Sequence, residues 1–513
     1  MAVELVKDIL KVDELKGKDE TQTMVEAEIY LNQSKPEIDK ILWVDGKAQI
    51  TNSKIVQDKV IINGIVKFKA VYKSKEENPR IFKLETVQDF RNEVELEGIN
   101  ENMTSDVKIG LEYIEYELLD ERKVGLKSLV NIQTKVGRTN TLEVIKDIRG
   151  GEDTQILKEK IKYNDVIGMK ESYTIVKEAF EIEEGMPPID DILKAELNTY
   201  EKESKVVDGR VIISGILDCL IVYNGGGNIN SLKKEISFNH FLEIEGAEKD
   251  LNCQIKMEVE SVEYEIKEDS EGISRILELE SKVKILGKVY DNREKEIVLD
   301  MYSTDQNINL KKEKTLLLEN VKNLICRETV TREIDMLGDI LTIEGRVSIL
   351  DSRYIEGKVV TEGTVNLNIL YVEENTGEIK NSQEEIPFKF YNDIDELKGN
   401  ISVEVESILE QISYKVNDGG LNIEAAVKNS IMLNREKEID IIVDLEETGE
   451  ALNKKNRPSI TVYIVQKDDI LWDIAKRYHT TVKEIMSANN ITSPQILMPG
   501  EKIIIEKHVD TQF

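Results

Sequence analysis

Three histidines, three cysteines and two tryptophans stand in this 513-residue chain against 100 Asp and Glu and 69 Lys and Arg. Metal capture needs ligands at helical or hairpin spacing, whereas His240, His479, His508, Cys219, Cys253 and Cys326 lie far apart in the sequence. With carboxylates this abundant, no Asp/Glu pair singles itself out as an acid/base couple, and solvated faces account for them. No Gly-x-Ser-x-Gly elbow, nucleotide loop or His-Glu-x-x-His helix occurs. The reading is a chain that is not an enzyme, with no cofactor and no metal, its thiols reduced. The chemistry on offer is recognition, and it concentrates near the C-terminus in Asp468-Asp469-Ile470-Leu471-Trp472 and Leu497-Met498.

The elements that must position those residues read strand, helix, helix, strand. Val462 and Ile464 alternate in front, and the apolar run Ile503 to Ile505 closes the segment. Leu471, Ile474, Ala475 and Tyr478 share one helical face, with Asp468 or Asp469 placed to cap the first turn. Val482, Ile485, Met486 and Asn489 repeat the spacing. Thr481 and Glu484 form a capping box, Asn489-Asn490 marks the helix end, and Pro499-Gly500 turns the chain. His479 stands at the turn after the first helix. Trp472 lies one position off the apolar stripe, so it is either partner-facing or a core wedge.

Upstream, an internal repeat sets the architecture. Residues 41–72, 192–223 and 340–371 align without a gap over thirty-two positions. They share Ile-Leu, a basic residue (Lys59, Arg210, Lys358), a following valine (Val60, Val211, Val359), a glycine (Gly64, Gly215, Gly363) and a closing tyrosine. A second anchor recurs at 109–118, 257–266 and 403–412. The period of about 150 residues fits whole domains rather than solenoid turns. Within the first unit Val60, Ile62, Gly64, Val66, Phe68, Ala70 and Tyr72 alternate with Lys59, Asn63 and Lys67, the pattern of an antiparallel sheet wet on one face. The mid-strand glycine marks a bulge or a close backbone approach, Cys219 fills the core, and Asn224 to Asn228 is a hairpin loop. The fold class is mainly β: three tandem antiparallel β-rich repeat domains, 1–148, 149–305 and 306–450, a linker 451–458, and a small βααβ domain, 459–507.

The formal net charge is −31, yet 459–507 holds six basic and six acidic residues and is neutral. So acidic a body repels phosphate backbones and anionic lipid heads, which excludes nucleic acid as a partner. No run approaches eighteen apolar residues, and the N-terminus lacks an apolar core of signal-peptide length, so the expectation is a cytosolic chain without membrane insertion.

The C-terminal pattern resembles the LysM module, with core Y-x-V-x-x-G-D-T-L-W-x-I-A-x-x-Y, a second helix ending A-N-N, and P-G-x-x-L-x-I. That resemblance implies a shallow groove for N-acetylglucosamine-containing glycans between the loops at 467–471 and 496–499. Here the usual Gly-Asp-Thr is Asp468-Asp469-Ile470, which favours a protein over a sugar. The whole arrangement resembles the spore coat morphogenetic proteins of the SipL and SpoVID type, in which DUF3794-type repeats precede a LysM. The Gly-Lys/Arg-Val-x-x-x-Gly core occurs at 209–215 and 357–363, with Asp58 replacing the first glycine in unit one. The resemblance implies a protein of the mother-cell cytoplasm at the forespore surface that binds the SpoIVA-type coat scaffold ATPase and other spore coat proteins. The expected partner-binding surface is Ile464, Asp469, Ile470, Leu471, Trp472, Leu497 and Met498. The rival reading is a binder of peptidoglycan or its lipid-linked precursor.

Overall fold

The computed structural model describes residues 3–335, 338–417, 420–452, 458–493 and 497–506. A first unit runs through β1 (Glu4–Tyr30), β2 (Ile38–Val56), β3 (Lys59–Ser74), β4 (Ile81–Glu95), β5 (Thr104–Asp120) and β6 (Lys123–Arg149). The second repeats it as β7 (Thr154–Glu181), β8 (Asp191–Val207), β9 (Arg210–Gly225), β10 (Asn228–Glu243), β11 (Asn252–Glu268) and β12 (Ser274–Ser303). The third is β13 (Gln306–Ile334), β14 (Gly338–Ile355), β15 (Lys358–Glu373), β16 (Ile379–Asp393), β17 (Asn400–Asn417) and β18 (Gly420–Ala451). Each unit holds a meander, β2-β3-β4 in the first, and a second antiparallel sheet ordered β1-β6-β5. The same two orders recur in the other units, and among the described residues no sheet is shared between units.

Alternation along β3 buries Val60, Ile62, Val66, Phe68, Ala70 and Tyr72 against Val25, Ala27 and Ile29 of β1 and Val124, Leu126, Val130 and Ile132 of β6. Each valine, leucine, isoleucine or phenylalanine so buried contributes about 1.5–3 kcal/mol on leaving water. Cys219 occupies the corresponding interior of the second unit, where burial pushes its thiol up to about 12. Gly226 and Gly227, both at positive φ, make the two-residue turn between β9 and β10.

The repeated glycine serves both roles read from sequence. Gly64, Gly215 and Gly363 lie directly opposite Phe90, Phe238 and Phe388, and a Cβ there would meet the ring at 2.4, 2.4 and 2.7 Å. On its other side each glycine faces a register shift, at Ile50/Asn52, Glu201/Glu203 and Ile349/Asp351. The bulge is thus in the neighbouring strand, and the glycine itself is the floor for a ring.

The units are not beads on a string. β1 and β6 are 27 residues each, roughly 90 Å if fully extended. One half of this ribbon closes its own unit's core. The other half, with Leu10, Val12, Leu142 and Val144, packs on Ile161, Tyr163 and Ile297 of unit two and Leu317, Ile439 and Ile441 of unit three. Register shifts at Leu15/Gly17, Val289/Tyr290 and Asn320/Lys322 separate the two halves of each ribbon. A bulge bends and twists a strand, which suits it to this joint.

The units meet a second time where Leu42, Trp43 and Val71, Leu193 and Val222, and Leu370 pack together. Beside them the repeat places Asp45, Glu196 and Glu344 at one aligned position, and all three surround Lys194. The ammonium lies 2.6 Å from Asp45, 2.6 Å from Glu344 and 3.9 Å from Glu196, while Arg346 binds Glu196 at 3.1 Å. Burial alone would lower the Lys194 pKa, but Asp45, Glu344 and Glu196 outweigh it and hold the group charged. A small cavity of about 10 Å³ beside it, lined by Trp43, Asn368 and Asn381 among others, has room for about one water.

Candidate functional site

Beyond residues 453–457, which hold most of the expected linker and lie outside the described residues, comes a separate small module. It comprises β19 (Ile460–Ile464), α1 (Leu471–Tyr478), α2 (Val482–Asn489) and β20 (Lys502–Glu506), with β19 and β20 antiparallel. Leu471, Ile474, Ala475, Ile485, Ile503 and Ile505 form its core. The capping box stands: Glu484 N donates to Thr481 Oγ1 at 3.1 Å and Thr481 N to Glu484 Oε2 at 2.9 Å. His479 and Asn490 end the two helices in left-handed conformation. Gly500 does the same at the turn into β20.

The start of α1 departs from expectation. Its N-cap is Ile470, with no side-chain bond to the first turn. Asp469 instead accepts from the Tyr463 hydroxyl at 2.7 Å and from Gln466 N at 2.7 Å. These bonds, the tyrosine's first, hold its carboxyl below the usual range. Asp468 takes the left-handed conformation, φ 69°, that a glycine would supply. The loop is therefore locked to β19 rather than capping the helix.

The expected surface divides. Ile464 and Ile470 are exposed, and Met498 is 69% exposed. Leu471, at 1% exposure, belongs to the module core and cannot meet a partner. Leu497 is half-buried against that core, and its neighbour Ile496 lies outside the described residues, as does His508. Trp472, at 9% exposure, is also corrected: it is a wedge, packed in one cluster with its module's core and with a neighbouring strand. Its ring meets Tyr302 of β12 edge-on with centroids 4.9 Å apart, and Nε1 donates to Asp300 Oδ2 at 2.8 Å. Lys476 Nζ reaches both Asp300 oxygens at 2.7 Å, and the Tyr302 hydroxyl donates to Thr480 O at 2.7 Å. Asp300 and Tyr302 went unnoticed in sequence because nothing local marks them; only the ribbon's end brings them under α1. Ile460, Val462 and Ile504, also exposed, were legible in part, since three isoleucines in a row on β20 leave one facing outward.

Among the described residues no group of three or more His, Cys, Asp or Glu could hold a metal, and no helix is long and apolar enough to cross a membrane. An open cleft of about 220 Å³ in unit three is lined by Arg353, Lys358, Lys389 and Tyr391 among others. Its cations are already paired with Asp351, Glu362 and Asp393.

Comparison with known families fits this arrangement. The family model described as SipL, SPOCS domain, matches residues 37–119, 188–267 and 337–432, together just over half of the chain. The chain belongs to the SipL family. A LysM domain model matches residues 463–506, the module that docks on β12. Neither a curated protein nor a solved structure matches the chain. In this SipL-family protein each matched SPOCS segment takes in the meander and the strand after it, β2 to β5 in unit one, and leaves out the long first strand. SPOCS and LysM domains are binding domains.

Proposed function

We propose that this SipL-family protein is a non-enzymatic spore coat morphogenetic adaptor of the mother-cell cytoplasm. Its LysM domain holds the SpoIVA-type scaffold ATPase at the forespore surface, and the three-unit body recruits coat proteins. The observation that carries the reading is a neutral module with exposed Ile464, Ile470 and Met498, attached to a strongly acidic body. Exposed aliphatics beside a locked loop suit a protein surface, which supplies matching apolar area. Several weak contacts from the body then add through effective concentration.

The test is co-sedimentation of the full chain with the purified scaffold polymer. An Ile470→Glu, Met498→Glu double variant should remain soluble and folded, because both side chains are exposed, and should lose roughly ten-fold or more in affinity. Unchanged binding would refute the assigned surface. The LysM match itself favours a second reading, recognition of a glycan containing N-acetylglucosamine. Asp469 argues against it, since its carboxylate is committed to Tyr463 and Gln466. Saturable binding of chitin or muropeptide oligomers by the full chain would favour this rival.

A further inference from the structure

The two edges of the small β19–β20 sheet are treated differently. On β20, Ile504 N donates to Asn489 Oδ1 at 2.7 Å and Asn489 Nδ2 donates to Ile504 O at 2.7 Å. The α2 side chain thus occupies that edge as a strand would. Because Ile504 points its backbone away from β19, its partner Val462 must point its own backbone to the opposite, open side. Ile460 and Ile464, two residues either way, do the same. The Ile464 carbonyl accepts from Gln466 Nε2 at 2.8 Å, which confirms the direction. No strand other than β20 pairs with β19 among the described residues.

Edge strands are normally blunted by a charge, a proline or a bulge. Residues 459–464, Ser-Ile-Thr-Val-Tyr-Ile, contain none of these. Ile460, Val462 and Ile464 are each more than half exposed. Their order, Ile-x-Val-x-Ile, reads the same in both directions, so the strand is complementary to a reversed copy of itself. Charge selects the same place. Two copies of a chain with net charge −31 repel over most of their surface, whereas the 459–507 segment is neutral and β19 uncharged.

We propose that β19 is a self-pairing edge: two copies join through antiparallel β19 strands about a two-fold axis at Val462. Ile460 then faces Ile464 of the second copy, Val462 faces Val462, and the sheet becomes four-stranded. Gln466 swings off the Ile464 carbonyl as the partner amide arrives. Five-residue strands bury less than the roughly 1,000 Å² of a stable interface. Pairing is therefore weak in dilute solution and takes hold where copies are crowded. Self-pairing does not require the scaffold reading and is tested without it.

The experiment uses the full chain. Across a hydrogen-bonded antiparallel pair the Cα atoms lie about 5.5 Å apart, inside the range a disulfide can bridge. Under mild oxidant, a Val462→Cys variant should form a covalent dimer roughly ten-fold faster than Thr461→Cys, whose two-fold mate is Tyr463 rather than itself. The wild-type chain, run alongside, sets the contribution of the native cysteines. In sedimentation velocity the wild type should shift toward dimer with rising concentration, and Val462→Lys should stay monomeric. Equal cross-linking of the two cysteine variants, a monomer at every concentration, a dimer indifferent to Val462→Lys, or growth past two copies would each overturn the proposal, since a two-fold contact closes at two.

Discussion

The Lys194 junction and the LysM dock both seat a cation on a carboxylate, yet they hold the molecule together in different ways. At the junction, one lysine serves carboxylates from all three units in a setting already sealed by Leu42, Leu193 and Leu370. At the dock, one carboxylate, Asp300, serves Trp472, Lys476 and its ribbon neighbour Lys312, beside a cluster in which Tyr302 packs with the module's Leu471, Trp472 and Ile474. Removing a group from the first strands buried charge. Removing one from the second leaves partners that water can reach. The body is thus closed as one piece, and the expectation for the module is an attachment that can be lost without unfolding either side.

Lys194→Met should show the difference most strongly. It leaves Asp45, Glu196 and Glu344 facing one another with only Arg346 beside them, and should cost about 3–5 kcal/mol in urea unfolding. A loss under 1 kcal/mol would mean the carboxylates find water, and the contrast with the dock would fail. Gly215→Ala comes next. The added methyl collides with the Phe238 ring, and destabilisation of about 1–3 kcal/mol is expected from overpacking. Phe238→Leu in the same chain should recover part of it.

Asp300→Ala should have a smaller effect on stability than Lys194→Met, because the stranded cations Lys476 and Lys312 are 40% and 35% exposed and water takes them up, but should undock the LysM. Fluorescence reads this directly, because the only other tryptophan, Trp43, is buried at the junction. Acrylamide quenching of Trp472 should rise in the variant, and unaltered quenching would show that the Tyr302 contact suffices. Acid gives the gentlest version. Burial alone would raise the Asp300 pKa, but Lys476, Trp472 and Lys312 outweigh it and place the folded value below 3.8. Its contribution is complete above the ordinary carboxylate value and is lost as pH falls through the lower, folded one. Quenching of Trp472 should therefore increase below about pH 4.

How much of this was legible depends on the range of the interaction. The Thr481–Glu484 capping box, the Asn490 helix end and the glycine hairpin at 226–227 are fixed within four residues, and all stand as read. Cys219 was placed by alignment with Phe68 and Leu367, and it is buried with them. The reading of Asp468 or Asp469 as helix cap failed because Tyr463, on a strand six residues back, competes for Asp469. Trp472 was assigned to a surface because helical spacing shows which residues share a face, and cannot show what covers a residue beside that face; Leu471, on that face by the same spacing, entered the surface only as the end of the LysM-like loop 467–471, and the core holds it.

Sequence alone determined the three-fold repeat, the alternation that makes each unit an antiparallel sheet, the βααβ order of the last module and its neutrality against an acidic body. These follow from period, dihedral preference and composition, all of them local. Only the tertiary structure decided that the long ribbons share one core, that Asp45, Glu196 and Glu344 converge on Lys194, and that Trp472 is covered by Tyr302. Asp45 and Glu344 lie about 150 positions from Lys194, and Tyr302 about 170 from Trp472, and no pattern along the chain records which distant side chain completes a burial.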